Sequence, residues 1–384
     1  MGRFLPVFSG VSKSDMPDPT PENVLFSVSA CGESDAALNQ IIKLTKSLEN
    51  SKIFLDNGMF TLFQKWKNDQ LGKTREIIIM NKNAPVFPKD IGMNNCSEII
   101  AKYASAIKPD VTFCMDLAVP KLRQKKYAGE DEFNFRLSTY NNILSAYEMV
   151  ALKPKYFPTT DLYFVFQGYH INHLLRIKQS LLTLNFDGWA IPTRVLSCET
   201  LAGIMLILYY YGIRKIHIFA GSNLNAMIVG VYFARHFFDE VSYDSTNWLK
   251  YAINHDYRLF GSMRGVNTGE NQTEKDLEFN KTCYCPHCRG RSIDDIRAMT
   301  NNSEKIKLLK MHNYYIEVLT ADAMADNIDT PNDLLRFLLN NQANENSVRK
   351  IFDCLNSIHI MKNKFDSLDV VVQFAKLICD EKYI

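Results

Sequence analysis

The chain has 384 residues, of which 46% are hydrophobic and 22% charged, a composition ordinary for a soluble globular protein. Its formal net charge of +2 neither requires nor excludes a nucleic-acid partner, because charge can be concentrated locally. The N-terminus lacks a long apolar signal core, and the longest apolar run, at 204–211, is too short to span a bilayer. Nine cysteines without a disulfide pattern favour a reducing compartment, so we expect a cytoplasmic protein with no membrane partner.

Short apolar runs alternate with helical patterns along the first two thirds of the chain. The N-terminal twenty residues are rich in proline, serine and aspartate and predict a loop. Buried strands are predicted at 24–29, 52–56, 111–116, 162–168, 188–191, 215–221 and 240–244. Helices are predicted at 34–48, 60–67, 97–106, 133–152, 171–184, 199–211 and 224–236, with an irregular insertion at 70–96.

This alternation predicts the fold. The strands are continuously apolar, which is typical of a parallel sheet buried on both faces. At least seven β/α alternations predict a (β/α)8 TIM barrel, with a doubly wound sheet as the alternative. No Gly-x-Gly-x-x-Gly follows the first strand, which disfavours a dinucleotide-binding form of that alternative.

After Asp244 the alternation ends, and helices near 303–323, 331–340 and 345–380 predict a C-terminal appendage. The predicted domains are a catalytic barrel at 1–275, a zinc-binding subdomain at 276–325 and a helical appendage at 326–384.

A metal-binding pattern follows the predicted barrel. Cys283, Cys285 and Cys288 lie within six residues, and His312 follows after a helix-length gap. This set supplies the four ligands of a closed tetrahedral zinc site, and because no position remains for water it predicts one structural zinc ion per chain. His287 is the alternative fourth ligand, although it lies too close to its neighbours to wrap the metal easily. Three unrelated loop cysteines are the structural alternative.

Polar or small residues close several of the predicted strands. They are Asp56, Asp116, Gln167, Gly168, Gly221 and Asp244. Loops at the C-terminal face build the active site of a barrel, so we expect these residues to converge there. Any single aspartate after a strand can instead be a helix cap or turn former. Paired carboxylates suit glycosidic chemistry, and a carboxylate with an amide can read the edge of a guanine. The residues therefore predict a barrel that cleaves N-glycosides or exchanges bases.

An ordered set of short motifs spans roughly residues 50–320. The motifs are Asp56-Asn-Gly-Met-Phe60, Met115-Asp116, Phe166-Gln167-Gly168, Gly188-Trp-Ala-Ile191, Phe219-Ala-Gly221, Tyr243-Asp244-Ser245, the three-cysteine set and His312-Asn313. This order resembles the tRNA-guanine transglycosylase superfamily. The resemblance implies a zinc-containing (β/α)8 barrel that swaps guanine for a 7-deazaguanine base through a covalent enzyme–nucleic acid intermediate.

The resemblance also implies roles for individual residues. Asp244 matches the family's nucleophile and Asp56 its proposed general acid/base. Asp239 and Glu240 are alternative nucleophiles, disfavoured because they precede the strand. The positions implied to contact or stack on the base are Phe60, Asp116, Gln167, Gly168, Phe219 and Gly221.

Departures from the family motifs point to one branch. The family's Asp-Ser-Gly-Gly is here Asp56-Asn-Gly-Met, and its Ile-Gly-Gly is Ile191-Pro-Thr. The Pro-Thr-Arg segment after the nucleophile, which contacts the tRNA anticodon neighbourhood in the family, is missing. The sequence therefore resembles most the DNA-acting branch, which inserts 7-deazaguanine derivatives such as preQ0. The alternatives are a tRNA-specific enzyme and a non-catalytic zinc-barrel subunit that binds nucleic acid.

The implied partners are DNA and a free 7-deazaguanine base. A second copy of the chain and other proteins of a DNA-modification system are further candidate partners. Two basic clusters are candidate phosphate contacts. One follows Asp116 and is therefore expected at the active face, whereas the other lies beside the cysteine motif. Their residues are Lys121, Arg123, Lys125 and Lys126, and Arg289 and Arg291. Solvated helix and loop faces are the structural alternative.

Overall fold

The computed structural model describes residues 2–9, 16–17, 20–28, 35–58, 96–117, 128–181, 183–193, 196–269, 273, 276 and 281–379. In this part of the chain, eight parallel strands follow one another in chain order in a closed barrel, which confirms the predicted TIM barrel. The barrel strands are β1 (Arg3–Ser9), β2 (Asn23–Ser27), β3 (Lys52–Asp56), β4 (Val111–Phe113), β5 (Asp161–Val165), β6 (Gly188–Pro192), β7 (Lys215–Phe219) and β8 (Glu240–Ser245).

Helices alternate with these strands and continue after them. Those of the barrel are α1 (Asp35–Lys46), α2 (Cys96–Ile107), α3 (Ala128–Tyr156), α4 (Ile171–Ser180), α5 (Cys198–Tyr210) and α6 (Leu224–His236). After β8 come α7 (Asn247–Ile253), the hairpin strands β9 (Asp256–Arg258) and β10 (Gly265–Asn267), α8 (Ile293–Arg297), α9 (Asn302–Asp326), α10 (Pro331–Asn340), α11 (Glu345–Met361) and α12 (Leu368–Ile378). Within the described ranges, none of the helices has the length and apolar character needed to cross a membrane.

The barrel strands are buried along consecutive residues. In β3, for example, Ile53, Phe54 and Leu55 are all buried, as are Ile216 and Ile218 on either side of His217 in β7. Burial of successive side chains means that both faces of a strand are covered, as a barrel with outer helices requires. The continuous apolar runs therefore favour the barrel, because a strand with alternating apolar and polar residues would expose one of its faces to solvent.

The predicted N-terminal loop is wrong. Arg3–Ser9 forms β1, which pairs in parallel with β8 from Arg3 opposite Glu240 to Phe8 opposite Ser245. Phe8 is completely buried, and Arg3 forms a 2.8 Å ion pair with the buried carboxylate of Glu240. The run is short and contains a proline, so local propensity disfavours a strand, whereas long-range pairing with β8 stabilises it.

The predicted helix at 345–380 is wrong in one respect, because the chain forms two helices there, α11 and α12. Ser367 accepts a hydrogen bond from the backbone N–H of Val370 and so caps the start of α12. The predicted helix at 60–67 lies outside the described residues, as does all of the predicted insertion at 70–96 except Cys96. The predicted strands at 111–116, 162–168 and 215–221 are shorter than expected and end at Phe113, Val165 and Phe219.

The chain divides into two compact units. We call Met1–Asn23 with Leu196–Ile384 the terminal unit and Val24–Val195 the central unit. In the terminal unit, the C-terminal helices pack back on the barrel helices: α12 lies on α5, and α11 contacts both α5 and α6. The domain boundaries near 275 and 325 remain a prediction.

A histidine pair lies where α11 meets α6. His236 Nδ1 is 3.4 Å from Lys362 Nζ, and the His236 and His359 ring centroids are 5.3 Å apart. Burial, followed by the nearby groups Lys362, His359 and Arg235, lowers the pKa of His236 to about 4, against a smaller opposite effect of Asp329. The contact between the C-terminal helices and α6 therefore accommodates a neutral imidazole.

Acidification is expected to weaken this contact. Because the pKa of His236 falls from 6.5 to about 4 on folding, the unfolded chain binds a proton that the folded chain does not within that window, and stability falls as the pH falls through it. Allowing for solvent screening of this half-exposed side chain, the loss is on the order of 1 kcal/mol. Thermal unfolding at about pH 7 and about pH 5 should show a melting-temperature loss about 2 °C larger for wild type than for His236→Gln. Equal losses in both proteins would contradict this role.

Candidate active site and metal centre

In the central unit, the ends of β3, β4 and β5 assemble a hydrogen-bonded cluster of carboxylates and amides. Asn57 Nδ2 donates to Cys114 O and to Asp116 Oδ1, each at 2.7 Å. The amide of Gln167 donates to the second oxygen of Asp116. Asp56 closes β3 and accepts the N–H of Gly58 at 3.2 Å, a turn that Gly58 permits by its φ of 74°. The structure thus brings together Asp116 and Gln167, which the sequence analysis predicted, and adds Asn57.

The carboxylate of Asp116 has a distinctive electrostatic environment. Burial raises the pKa of Asp116, while hydrogen bonds from Gln167 and Asn57 counteract that rise. A carboxylate offers about four lone-pair positions, and these two amides use one on each oxygen. A further hydrogen bond with its own backbone also counteracts the rise, so several bonds fix the orientation of the Asp116 carboxylate.

In the terminal unit, Asp244 lies near the carboxyl end of β8 with its side chain 14% exposed. Its Oδ1 accepts the backbone N–H of Ala220 at 3.2 Å and lies 3.3 Å from Nε2 of His217. Among the described residues, no hydrogen bond involves Oδ2. Oδ1 of this carboxylate thus has two nitrogen neighbours, and Oδ2 is the oxygen that the described residues leave without a hydrogen bond.

The turn after β7 is shaped to support this carboxylate. Ala220 has a φ of 56°, a left-handed conformation that costs a non-glycine residue on the order of 1 kcal/mol or more. Gly221 follows and donates its N–H to the backbone oxygen of Asp244 at 2.9 Å. A Cβ at Gly221 would approach Ile218 Cγ2 and Tyr243 Cβ to 2.9 Å, so packing requires glycine here.

Also in the terminal unit, Cys283, Cys285, Cys288 and His312 form a buried cluster that could hold a metal ion, as predicted. His312 Nδ1 lies 3.6 Å from the first sulfur and 3.5 Å from each of the other two. The four ligand atoms all lie within 4.8 Å of one another. The alternative ligand His287 is not a member of this cluster and instead packs edge-on against Tyr315.

The residues around the cluster fix its ligands. His312 Nε2 lies 2.9 Å from the backbone oxygen of Arg258, which leaves Nδ1 to face the sulfurs, and the Tyr257 ring stacks on the imidazole at 3.8 Å. The adjacent Asn313 accepts the N–H of Arg258 at 3.0 Å and donates to Asp256 O at 2.9 Å. His312 and Asn313 together contact all three residues of β9, so they fix helix α9 to the whole of this short strand.

A buried ion pair extends from this hairpin towards Asp244. Arg258 Nη1 lies 3.3 Å from Glu317 Oε2, and both side chains are almost fully buried. Burial raises the pKa of Glu317, the charge of Arg258 opposes this rise and the charge of Asp244 adds to it, so that the pKa is about 7. Glu317 belongs to α9, the helix that also carries His312.

Arg289 and Arg291 lie beside the metal cluster and line an open cavity of about 330 Å³. Each guanidinium uses one N–H to hold the cysteine loop: Arg289 Nε donates to Pro286 O at 3.2 Å and Arg291 Nη1 to Cys288 O at 3.4 Å. Lys307 adds a third positive charge to the lining and Glu304 one negative charge. The cavity wall therefore carries net positive charge.

Some of the remaining predicted site residues lie within the described ranges and others lie outside them. Phe219 packs edge-on against His217 at 4.6 Å, and a Cβ at Gly168 would approach Phe166 Cζ to 2.4 Å. Those outside the described residues are Phe60, Lys121, Arg123, Lys125 and Lys126. Asn57 and His217 were not among the predicted site residues. The signal for His217 was present, because it is the one polar residue between Ile216 and Ile218 in an apolar strand.

Comparison with protein-family models and with curated proteins finds no match for this chain. The functional assignment therefore rests on the site itself and on the motif order.

Proposed function

We propose that the protein is a base-exchange transglycosylase that replaces guanine in DNA by a 7-deazaguanine base, in the manner of the tRNA-guanine transglycosylase superfamily that its motifs resemble. The observation that carries this proposal is the Asp244 carboxylate. It lies near the carboxyl end of barrel strand β8, two nitrogen atoms lie within hydrogen-bond distance of Oδ1, and Oδ2 takes part in no hydrogen bond with a described residue. Active sites of (β/α)8 barrels form at the carboxyl ends of strands, and an ordered, half-free carboxylate suits nucleophilic catalysis.

The proposed reaction has two displacements. In the first, Oδ2 of Asp244 attacks C1′ of an unstacked guanosine, the C1′–N9 bond breaks, and guanine leaves with the electron pair and a proton from Asp56. In the second, the incoming base gives its N9 proton to Asp56 and attacks C1′, and the C1′–Oδ2 bond breaks to restore the carboxylate. Two inversions give net retention, as in retaining glycosidases.

Recognition of the base is assigned to the cluster at Asp116. Asn57 and Gln167 orient the carboxylate, and an oriented carboxylate suits acceptance of the N1–H and N2–H donors on the guanine edge. Phe60 is the proposed stacking partner. Unstacking the target nucleotide costs a few kcal/mol, which these contacts must offset.

Zinc is the metal that we propose for the cysteine–histidine cluster. Bond lengths of about 2.3 Å to sulfur and 2.0–2.1 Å to nitrogen in a tetrahedron place each sulfur about 3.6 Å from the nitrogen. The observed Sγ–Nδ1 distances are 3.5–3.6 Å. Four protein ligands leave no open position, so the ion would be structural, holding the cysteine loop to α9.

The cavity beside the metal cluster is a proposed phosphate-binding surface. An Arg289→Ala, Arg291→Ala double variant is expected to bind duplex DNA more weakly, and the slope of log K against log salt should become shallower by about 1 to 2, because up to two phosphate contacts are lost. Arg336→Ala with Arg349→Ala is the matched control, since each of these arginines pairs within its own helix. A slope equal to that of wild type would remove this surface from the proposal.

Exchange of labelled guanine tests the proposed function. The purified protein is incubated in parallel with duplex DNA, single-stranded DNA and tRNA, with guanine or a 7-deazaguanine base as the incoming species. Incorporation into DNA is the expected result. Incorporation only into tRNA would overturn the choice of substrate, and absence of incorporation into all three would favour a nucleic-acid-binding zinc-barrel subunit.

A further inference from the structure

On the basis of the proposed function, we infer that His217 is a positioning residue that holds Oδ1 of Asp244 and so presents Oδ2 to the sugar. His217 is completely buried in β7, and so is Ser242 in β8. Its Nδ1 lies 2.9 Å from Ser242 Oγ and its Nε2 lies 3.3 Å from Asp244 Oδ1. The imidazole therefore bridges two side chains of the neighbouring strand.

Strand register explains why these three residues meet. The parallel ladder places His217 directly opposite Ser242. Asp244 follows two residues later and so projects from the same face of β8 as Ser242. A histidine opposite Ser242 thus reaches both partners without leaving the strand, and its burial keeps water from competing for either nitrogen.

The chemistry of the three groups fixes the direction of the hydrogen bonds. An ionised carboxylate only accepts, so Nε2 must carry a hydrogen, and in a neutral imidazole Nδ1 then accepts from the hydroxyl of Ser242. The alternative acceptor for that hydroxyl, Ile216 O, is farther away at 3.4 Å, compared with 2.9 Å for Nδ1. Although the trio has the composition of a serine-protease triad, Ser242 is completely buried and cannot meet a substrate. Here the serine orients the histidine, and the histidine orients the aspartate.

This arrangement has a consequence for the covalent intermediate. When Oδ2 bonds to C1′, Asp244 becomes a neutral ester and Oδ1 its carbonyl oxygen. When the second base displaces it, the electron pair of the C1′–Oδ2 bond returns and the carboxylate is negative again. A hydrogen bond to a charged acceptor is stronger than one to a neutral acceptor, so the N–H of His217 favours the free carboxylate over the ester.

The test measures the ester-to-free ratio rather than activity alone. At equilibrium with a DNA substrate and guanine as both leaving and incoming base, His217→Phe should raise the ratio of covalent adduct to free enzyme about five- to tenfold, while turnover falls. His217→Gln, whose amide places an N–H near the position of Nε2, should restore the ratio. His359→Phe on α11 is the control. A purely structural role would lower adduct and turnover together, and an unchanged ratio in His217→Phe would overturn the inference.

A second readout does not depend on catalysis. Nuclear magnetic resonance of ¹⁵N-histidine protein should show His217 as the Nε2–H tautomer, with a shift that changes in Asp244→Asn and in Ser242→Ala. An Nδ1–H tautomer would contradict the inference whatever the activity. If wild type forms no adduct with any nucleic acid, the proposed function fails, and the tautomer still decides whether His217 holds Asp244.

Discussion

Replacement of Cys288 by serine is expected to abolish metal binding by the cysteine–histidine cluster and to cost several kcal/mol of stability, the largest stability effect that we anticipate for a single substitution. Cys288 is completely buried, and the sulfurs and His312 hold together a small apolar cluster around Ile293, Ile296 and Leu309. Without the ion, the loop would lose the metal-mediated connection to His312 of α9. Metal content, thermal unfolding and hydrogen exchange measure the three consequences, and exchange should rise first at 281–299 and in β9.

Cys354→Ser is the matched control, because Cys354 is a buried cysteine of α11 outside the metal cluster. It should retain the metal and lose only about 1 kcal/mol for the buried hydroxyl. If the metal-free protein kept its melting temperature and lost only base exchange, the metal would be part of the chemistry and its structural role would be wrong.

Asp244→Asn is expected to abolish base exchange, by about 10³-fold or more, and to eliminate the covalent adduct. The carboxamide keeps an oxygen that can accept from Ala220 N–H, so the fold should remain and the unfolding free energy should change by no more than about 1 kcal/mol. An amide oxygen is a poor nucleophile, so the substitution removes the attack on C1′. It also removes the negative charge that acts on His217 and Glu317. Initial rates of labelled guanine release and the yield of denaturant-stable adduct measure the effect.

Asp239→Asn provides the control for the same strand. Asp239 is exposed and precedes β8, whereas Asp244 lies near the carboxyl end of that strand, so the control should keep full exchange activity. Substantial exchange by Asp244→Asn, or loss of exchange in Asp239→Asn, would contradict the assignment of the nucleophile.

Much of the fold could be predicted from the sequence because the barrel depends on local patterns. Continuous apolar runs such as that of β3 signal a strand covered on both faces, and the ligand spacing from Cys283 to Cys288 signals a metal site without reference to the fold. β1 could not be predicted, because Pro6 weakens its local signal and its stability comes from pairing with a strand more than 200 residues later.

The sequence indicates the carboxylates of the candidate site but not the residues that form hydrogen bonds with them. Asn57 has the appearance of a turn residue between Asp56 and Gly58, and only the approach of β4 makes it a donor to Asp116. His217 becomes a partner of Asp244 through the register of β7 against β8. Register and loop approach arise from long-range packing, so a single sequence names the reactive groups more readily than the residues that orient them.

Locating the covalent bond tests the central claim most directly. The protein is incubated with DNA containing the target guanine, denatured without addition of an incoming base, digested, and the cross-linked peptide is mapped by mass spectrometry. The proposed mechanism predicts attachment of the nucleic acid through C1′ to the side chain of Asp244. Attachment to another residue, or efficient base exchange with no trapped peptide at any stage, would contradict it.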